Sequence, residues 1–179
     1  SGGLDADGTI EGKSVGSTGD GGQGIDELYG IENIIGSNYT ADIVYGSNSV
    51  NVISTQAGDD FIEARGGNDT VFAGSGNDTI KATSALDGVD YYDGGVGSDT
   101  IDYRNLTASN QLTLNLSVAA TTLFTGSSTA DAWQVTIANG NNDIIKGIEN
   151  IISGAGNDII YANSNSNTLQ GGAGTDTLS

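Results

Sequence analysis

The chain has 179 residues, with 5 Lys and Arg against 23 Asp and Glu and a net charge of -18, which argues against nucleic acid or an anionic membrane surface as partner and favours cations. Cys, His and Met are absent, and with them go thiol nucleophiles, disulfides, histidine bases and the nitrogen and sulfur ligands that zinc prefers. Only oxygen ligands remain, the set that hard divalent ions take; no apolar run is long enough for membrane insertion.

Along the chain, the opening Ser1-Gly2-Gly3 has neither the charged start nor the apolar run of an export signal, so any such signal is expected elsewhere. Asp5, Asp7 and Glu11, with Gly8 for a turn, resemble the beginning of an EF-hand loop. The match is incomplete, since Val15 and Gly16 stand where the closing glutamate belongs. A spacer strand and turn over residues 1–20 is the preferred reading.

From Gly21 a nine-residue period sets in, with glycine fourth, aspartate sixth and an apolar residue eighth. Five rungs hold it well: TQAGDDFIE from Thr55, ARGGNDTVF from Ala64, AGSGNDTIK from Ala73, ALDGVDYYD from Ala85 and GGVGSDTID from Gly94. Around them stand GGQGIDELY from Gly21, SNYTADIVY from Ser37, and GSNSVNVIS from Gly46, whose sixth residue is Asn51. These make a first block over residues 21–102.

Residues 103–137 break the period. Leu112, Leu114, Leu116 and Val118 alternate with polar residues, as do Trp133, Val135 and Ile137. Two strands joined by a Thr/Ser-rich loop around Thr121 to Asp131 are predicted. This hairpin is expected to cap the first roll or to dock on its side, with Trp133 covering an apolar face.

The period returns over residues 138–179 as ANGNNDIIK, SGAGNDIIY, ANSNSNTLQ (sixth residue Asn167) and GGAGTDTLS. A longer repeat overlies it: GIENII occurs at Gly30 and again at Gly147, 117 residues on, with a rung before each copy and three after. The second block is therefore expected to continue beyond Ser179, against neighbouring repeats of the same parent chain.

One rung reads physically as a six-residue turn followed by a three-residue strand whose eighth side chain points inward. The column Val44, Ile53, Ile62, Val71, Ile80, Tyr92 and Ile101 is then core, and the buried Tyr92 phenol needs a partner. Glycines such as Gly58, Gly67, Gly76 and Gly97 let the turn take positive φ and bring carbonyls close to an ion.

The pattern resembles the repeats-in-toxin (RTX) family of hemolysin-type nonapeptide repeats. The resemblance implies an all-β fold, a parallel β-roll or right-handed β-solenoid, here in two blocks separated by a short β-hairpin interlude. It implies that two rungs make one coil and that Ca2+ sits between turns n and n+2, held by both sixth-place aspartates and turn carbonyls. One edge would carry Asp42, Asp60, Asp78 and Asp99, and the other Asn51, Asp69 and Asp90. The expected pairs are Asp60 with Asp78, Asp78 with Asp99, Asp69 with Asp90, and Asp158 with Asp176. Asp42 with Asp60 is a weaker fifth, because Thr40 replaces the turn glycine. About four to five ions follow, with Asn51 and Asn167 weakening their own turns.

The function implied is a calcium-binding module that folds on calcium after type I secretion, as a structural or spacer part of an adhesin, surface-layer protein or toxin. Its place would be secreted, or at the cell surface of a Gram-negative bacterium. The alternatives are a module binding a glycan or cell-surface receptor, or a non-catalytic appendage of a secreted enzyme. No HExxH or GxSxG motif occurs, so catalysis by this chain is not expected.

Overall fold

The computed structural model describes residues 32–116 and 132–179 and the backbone of one short strand, Ile10–Glu11. Asp5, Asp7, Gly8, the Gly21 rung, Val118 and the Thr121 to Asp131 loop lie outside the described residues. Every described element is a strand. In chain order they are β1 (Ile10–Glu11), β2 (Asn33–Ile35), β3 (Ile43–Tyr45), β4 (Val52–Ser54), β5 (Phe61–Glu63), β6 (Thr70–Ser75), β7 (Thr79–Lys81), β8 (Tyr91–Val96), β9 (Thr100–Asp102), β10 (Leu112–Asn115), β11 (Ala132–Ile137), β12 (Asp143–Lys146), β13 (Asn150–Ile152), β14 (Ile159–Tyr161), β15 (Thr168–Gln170) and β16 (Thr177–Leu178).

The strands are short because each nonapeptide leaves only its last three places free of the turn, and successive rungs fall alternately on two sheets. One sheet has six strands in the order β15-β13-β9-β7-β5-β3 and the other ten in the order β1-β2-β4-β6-β8-β12-β11-β10-β14-β16. Pairing along the first block is parallel and in register, Val44 on Ile62 on Ile80 on Ile101, and Ile53 on Val71 on Tyr92. The chain is therefore an all-β parallel β-solenoid.

Its core is the eighth place. Ile53, Ile62, Val71, Ile80, Tyr92 and Ile101 are buried between the sheets, and Val44 with them; each such aliphatic side chain contributes roughly 1.5–3 kcal/mol by leaving water. The seventh and ninth places point mostly outward, with Ile144 and Asp102 as buried exceptions. There Lys81 pairs with Glu63 at 2.8 Å and Lys146 with Asp93 at 2.9 Å.

The interlude departs from expectation. It neither caps the roll nor docks on its flank. β10 and β11 are antiparallel to each other, β11 is antiparallel to β12, and β10 runs parallel to β14, so the hairpin is inserted within the ten-stranded sheet. Both hairpin edges thereby find partners, and the alternating Leu112, Leu114, Val135 and Ile137 become part of the same core. Trp133 packs against that core and is half-buried.

On the other sheet nothing is inserted, so the two blocks, separate in sequence, stack directly. There β13 lies on β9, while on the ten-stranded sheet β12 lies on β8 ahead of the hairpin. Tyr103 and Leu106 are buried in the segment leading to β10, and their backbone bonds to Ile152 and Ala155 seat the second block upon it.

Candidate metal centre

Stacking in register brings the sixth places of alternate rungs together, and one bond repeats along both edges. The N–H of each sixth residue donates to Oδ1 of the next aspartate in the stack: Asp42 to Asp60 at 2.7 Å, Asp60 to Asp78 and Asp78 to Asp99 at 2.8 Å. On the other edge Asn51 donates to Asp69 at 2.8 Å, Asp69 to Asp90 at 2.7 Å and Asp90 to Asp143 at 3.1 Å. Beyond the hairpin, Leu112 of β10 donates to Asp158 of the second block at 2.8 Å, and Asp158 to Asp176 at 2.9 Å. The carboxylates are thus held by the backbone rather than by each other.

The turns approach as closely as their glycines allow. Gly76 has φ of 134°, and a Cβ there would overlap the Gly58 carbonyl oxygen. Any other residue would both strain the turn and push the carbonyls apart. Gly58, Gly67 and Gly97 occupy the equivalent fourth places in their turns.

The second carboxylate oxygen distinguishes the sites. Oδ2 of Asp60, Asp69, Asp78, Asp99 and Asp158 is buried and has no hydrogen-bond partner. A buried ionised oxygen left so costs several kcal/mol unless a cation or proton meets it. Burial accordingly pushes Asp69 up to about 7 and Asp78 and Asp99 up to about 6, with neighbouring carboxylates adding to the effect.

Other turns close on themselves. Oδ2 of Asp42 accepts the Ser37 N–H at 2.7 Å, Asn51 Oδ1 accepts the Ser47 N–H at 2.7 Å, and Asn167 Oδ1 accepts the Asn163 N–H at 3.2 Å. The Asn167 amide also donates to the Glu149 carbonyl at 3.1 Å, occupying an oxygen that a cation would need. Asp90 and Asp143 are met instead by phenols: Tyr92 donates to Asp90 Oδ2 at 2.8 Å and Tyr103 to Asp143 Oδ2 at 2.9 Å. The partner required by the buried Tyr92 is therefore a carboxylate.

Among the described residues no three Asp, Glu, His or Cys side chains gather into one cluster. Each gap between consecutive stacked aspartates instead offers two carboxylates and the main-chain carbonyls beside them. That is an all-oxygen, mixed set of the kind calcium accepts and zinc does not. The orphaned Oδ2 atoms satisfy the chemical requirement for such an ion. The RTX calcium-binding nonapeptide repeat matches residues 42–80, 84–101 and 137–178, in four copies. The chain belongs to this family. It is a calcium-binding module, and among curated proteins none matches it.

The sixth-place residues named from the sequence all lie in these stacked columns, with Asp176 half-buried at the end of its column. Sequence reasoning passed over Asp143 and Glu149. Asp143 was visible as the sixth place of ANGNNDIIK, but its neighbour in the stack, Asp90, is 53 residues away. The fifth places were also missed as a ladder. Asp59 accepts from Asn77 N–H, Asn77 from Ser98, Asn68 from Val89 and Asn157 from Thr175, each at 2.8–3.0 Å, tying turn to turn on the outside.

Proposed function

We propose that the ions lie in the gaps Asp60/Asp78, Asp78/Asp99, Asp69/Asp90 and Asp158/Asp176, with Asp42/Asp60 weaker, and that binding them folds the chain. The observation that carries this is the set of buried, partnerless Oδ2 atoms on Asp60, Asp69, Asp78, Asp99 and Asp158. Without a cation these carboxylates repel along two edges while glycine-rich turns lose much entropy on ordering.

Extracellular calcium modules have dissociation constants of roughly 10⁻⁴–10⁻³ M, so at millimolar calcium a site at the tight end contributes about 1.4 kcal/mol. Four such sites supply on the order of 6 kcal/mol, comparable with the stability of a domain. At submicromolar calcium they supply almost nothing. The module thus crosses a cell envelope unfolded and folds outside, as a spacer in a large secreted or surface protein of a Gram-negative bacterium. It works by structure rather than catalysis.

Far-ultraviolet circular dichroism during a calcium titration tests this. A cooperative gain of strand signal at submillimolar to millimolar calcium, absent with magnesium, is expected. A chain already folded in chelator would defeat the proposal.

A further inference from the structure

The repeated hexapeptide Gly147–Ile152 is a rung that has lost its first three places. Its strand β13 stacks on β9 with Ile151 opposite Ile101, and Ile151 is fully buried, as an eighth place should be. Gly147, Ile148 and Glu149 then occupy the fourth, fifth and sixth places, with glutamate where a full rung has aspartate. Its Oε2 accepts the Asp99 N–H at 2.9 Å, the same bond that each sixth-place aspartate makes with the turn before it. The extra methylene supplies reach that the shortened turn lacks.

Asp99 points to what this gap holds. It is fully buried, and its Oδ2 has no hydrogen-bond partner. That oxygen lies against Gly94, where an added Cβ would stand 2.8 Å from it and would overlap the Gly147 carbonyl oxygen. The free carboxylate oxygen and the carbonyl of the shortened rung therefore flank one point. Lys146, at the end of the preceding strand, is paired with Asp93 at 2.9 Å. At the same level on the opposite edge, the oxygens of Asp90 and Asp143 are already met by Tyr92 and Tyr103.

We propose that Asp99, Glu149 and the Gly147 carbonyl hold a further calcium ion that joins the first block to the second, on one edge only. The inference rests on the reading that sixth-place carboxylates ligate calcium, and extends it to a glutamate on a six-residue rung. A calcium ion here fastens two segments that are 50 residues apart in the chain, so the second block is locked on only where the first is already formed.

Equilibrium dialysis against saturating calcium, with the chain intact, counts the ions. Glu149→Gln keeps the acceptor for the Asp99 N–H and removes the charge; it is expected to bind one ion fewer than the parent while retaining its circular dichroism. An unchanged count in folded E149Q, with Asp78→Asn losing at least one ion in parallel, overturns this inference alone. An unchanged count in both variants overturns the underlying reading. Should E149Q not fold, Glu149→Asp decides: a calcium midpoint raised several-fold supports the site, and an unmoved midpoint refutes it.

Discussion

The two edges of the roll begin alike and end differently. On one, Asp60, Asp78 and Asp99 each spend Oδ1 on a backbone N–H and leave Oδ2 buried and unmet. On the other, Asp69 does the same, but Asp90 and Asp143 give Oδ2 to the phenols of Tyr92 and Tyr103. The same problem, acidic groups stacked out of water, thus has two solutions. An external cation, on the proposed reading, makes the fold conditional on the medium. An internal hydroxyl meets the carboxylate with no ion from the medium, and it is found at the β8–β12 step beside the inserted hairpin.

The largest test of that difference is pH in calcium-free buffer. Burial raises Asp69 to about 7 and Asp78, Asp90 and Asp99 to about 6. A group raised in the folded state adds stability that is fully present below its unfolded value near 3.8 and is lost as pH rises through 6 to 7. The calcium-free chain should therefore gain structure as pH falls from 7.5 towards 4, read by circular dichroism. Calcium affinity, which needs ionised carboxylates, should fall over the same range. A calcium-free chain that loses structure on mild acidification would break the comparison.

Next in size is Asp78→Ala, because Asp78 serves two gaps. Losing both sites at millimolar calcium costs on the order of 3 kcal/mol, and the loss should vanish as calcium is withdrawn. Urea unfolding at several calcium concentrations reads it. A penalty independent of calcium would mean that Asp78 acts only as a backbone acceptor.

Tyr103→Phe is the smaller, opposite case. It strands Asp143 Oδ2 in a fully buried position, costing about 2 kcal/mol, and that cost should be the same at every calcium concentration that folds the chain. A cost that shrinks with added calcium would show an ion replacing the phenol.

Much of this was legible in the sequence because a nine-residue period with a three-residue strand puts chemistry and core in fixed places. The inward column from Val44 to Ile101 and the pairing of Asp60 with Asp78 follow from that period alone once the coil is two rungs long. What was not legible depends on places where the period is lost. Gly147–Ile152 drops three residues, so Glu149 falls out of phase with the nonapeptide although it stacks on Asp99. Alternation marks Leu112–Asn115 and Ala132–Ile137 as strands, but which strands they join is a matter of long-range pairing that local pattern does not encode. Tyr103 carries no motif at all; its role exists only because Asp143 returns to the roll 40 residues later.

The most direct measurement is a crystal structure grown in millimolar calcium. The account predicts ions between Asp60 and Asp78, Asp78 and Asp99, and Asp69 and Asp90, with none between Asp90 and Asp143, where Tyr92 and Tyr103 keep their hydrogen bonds. Ions at Asp90/Asp143 with the phenols displaced, or none along the Asp60, Asp78 and Asp99 edge, would contradict it.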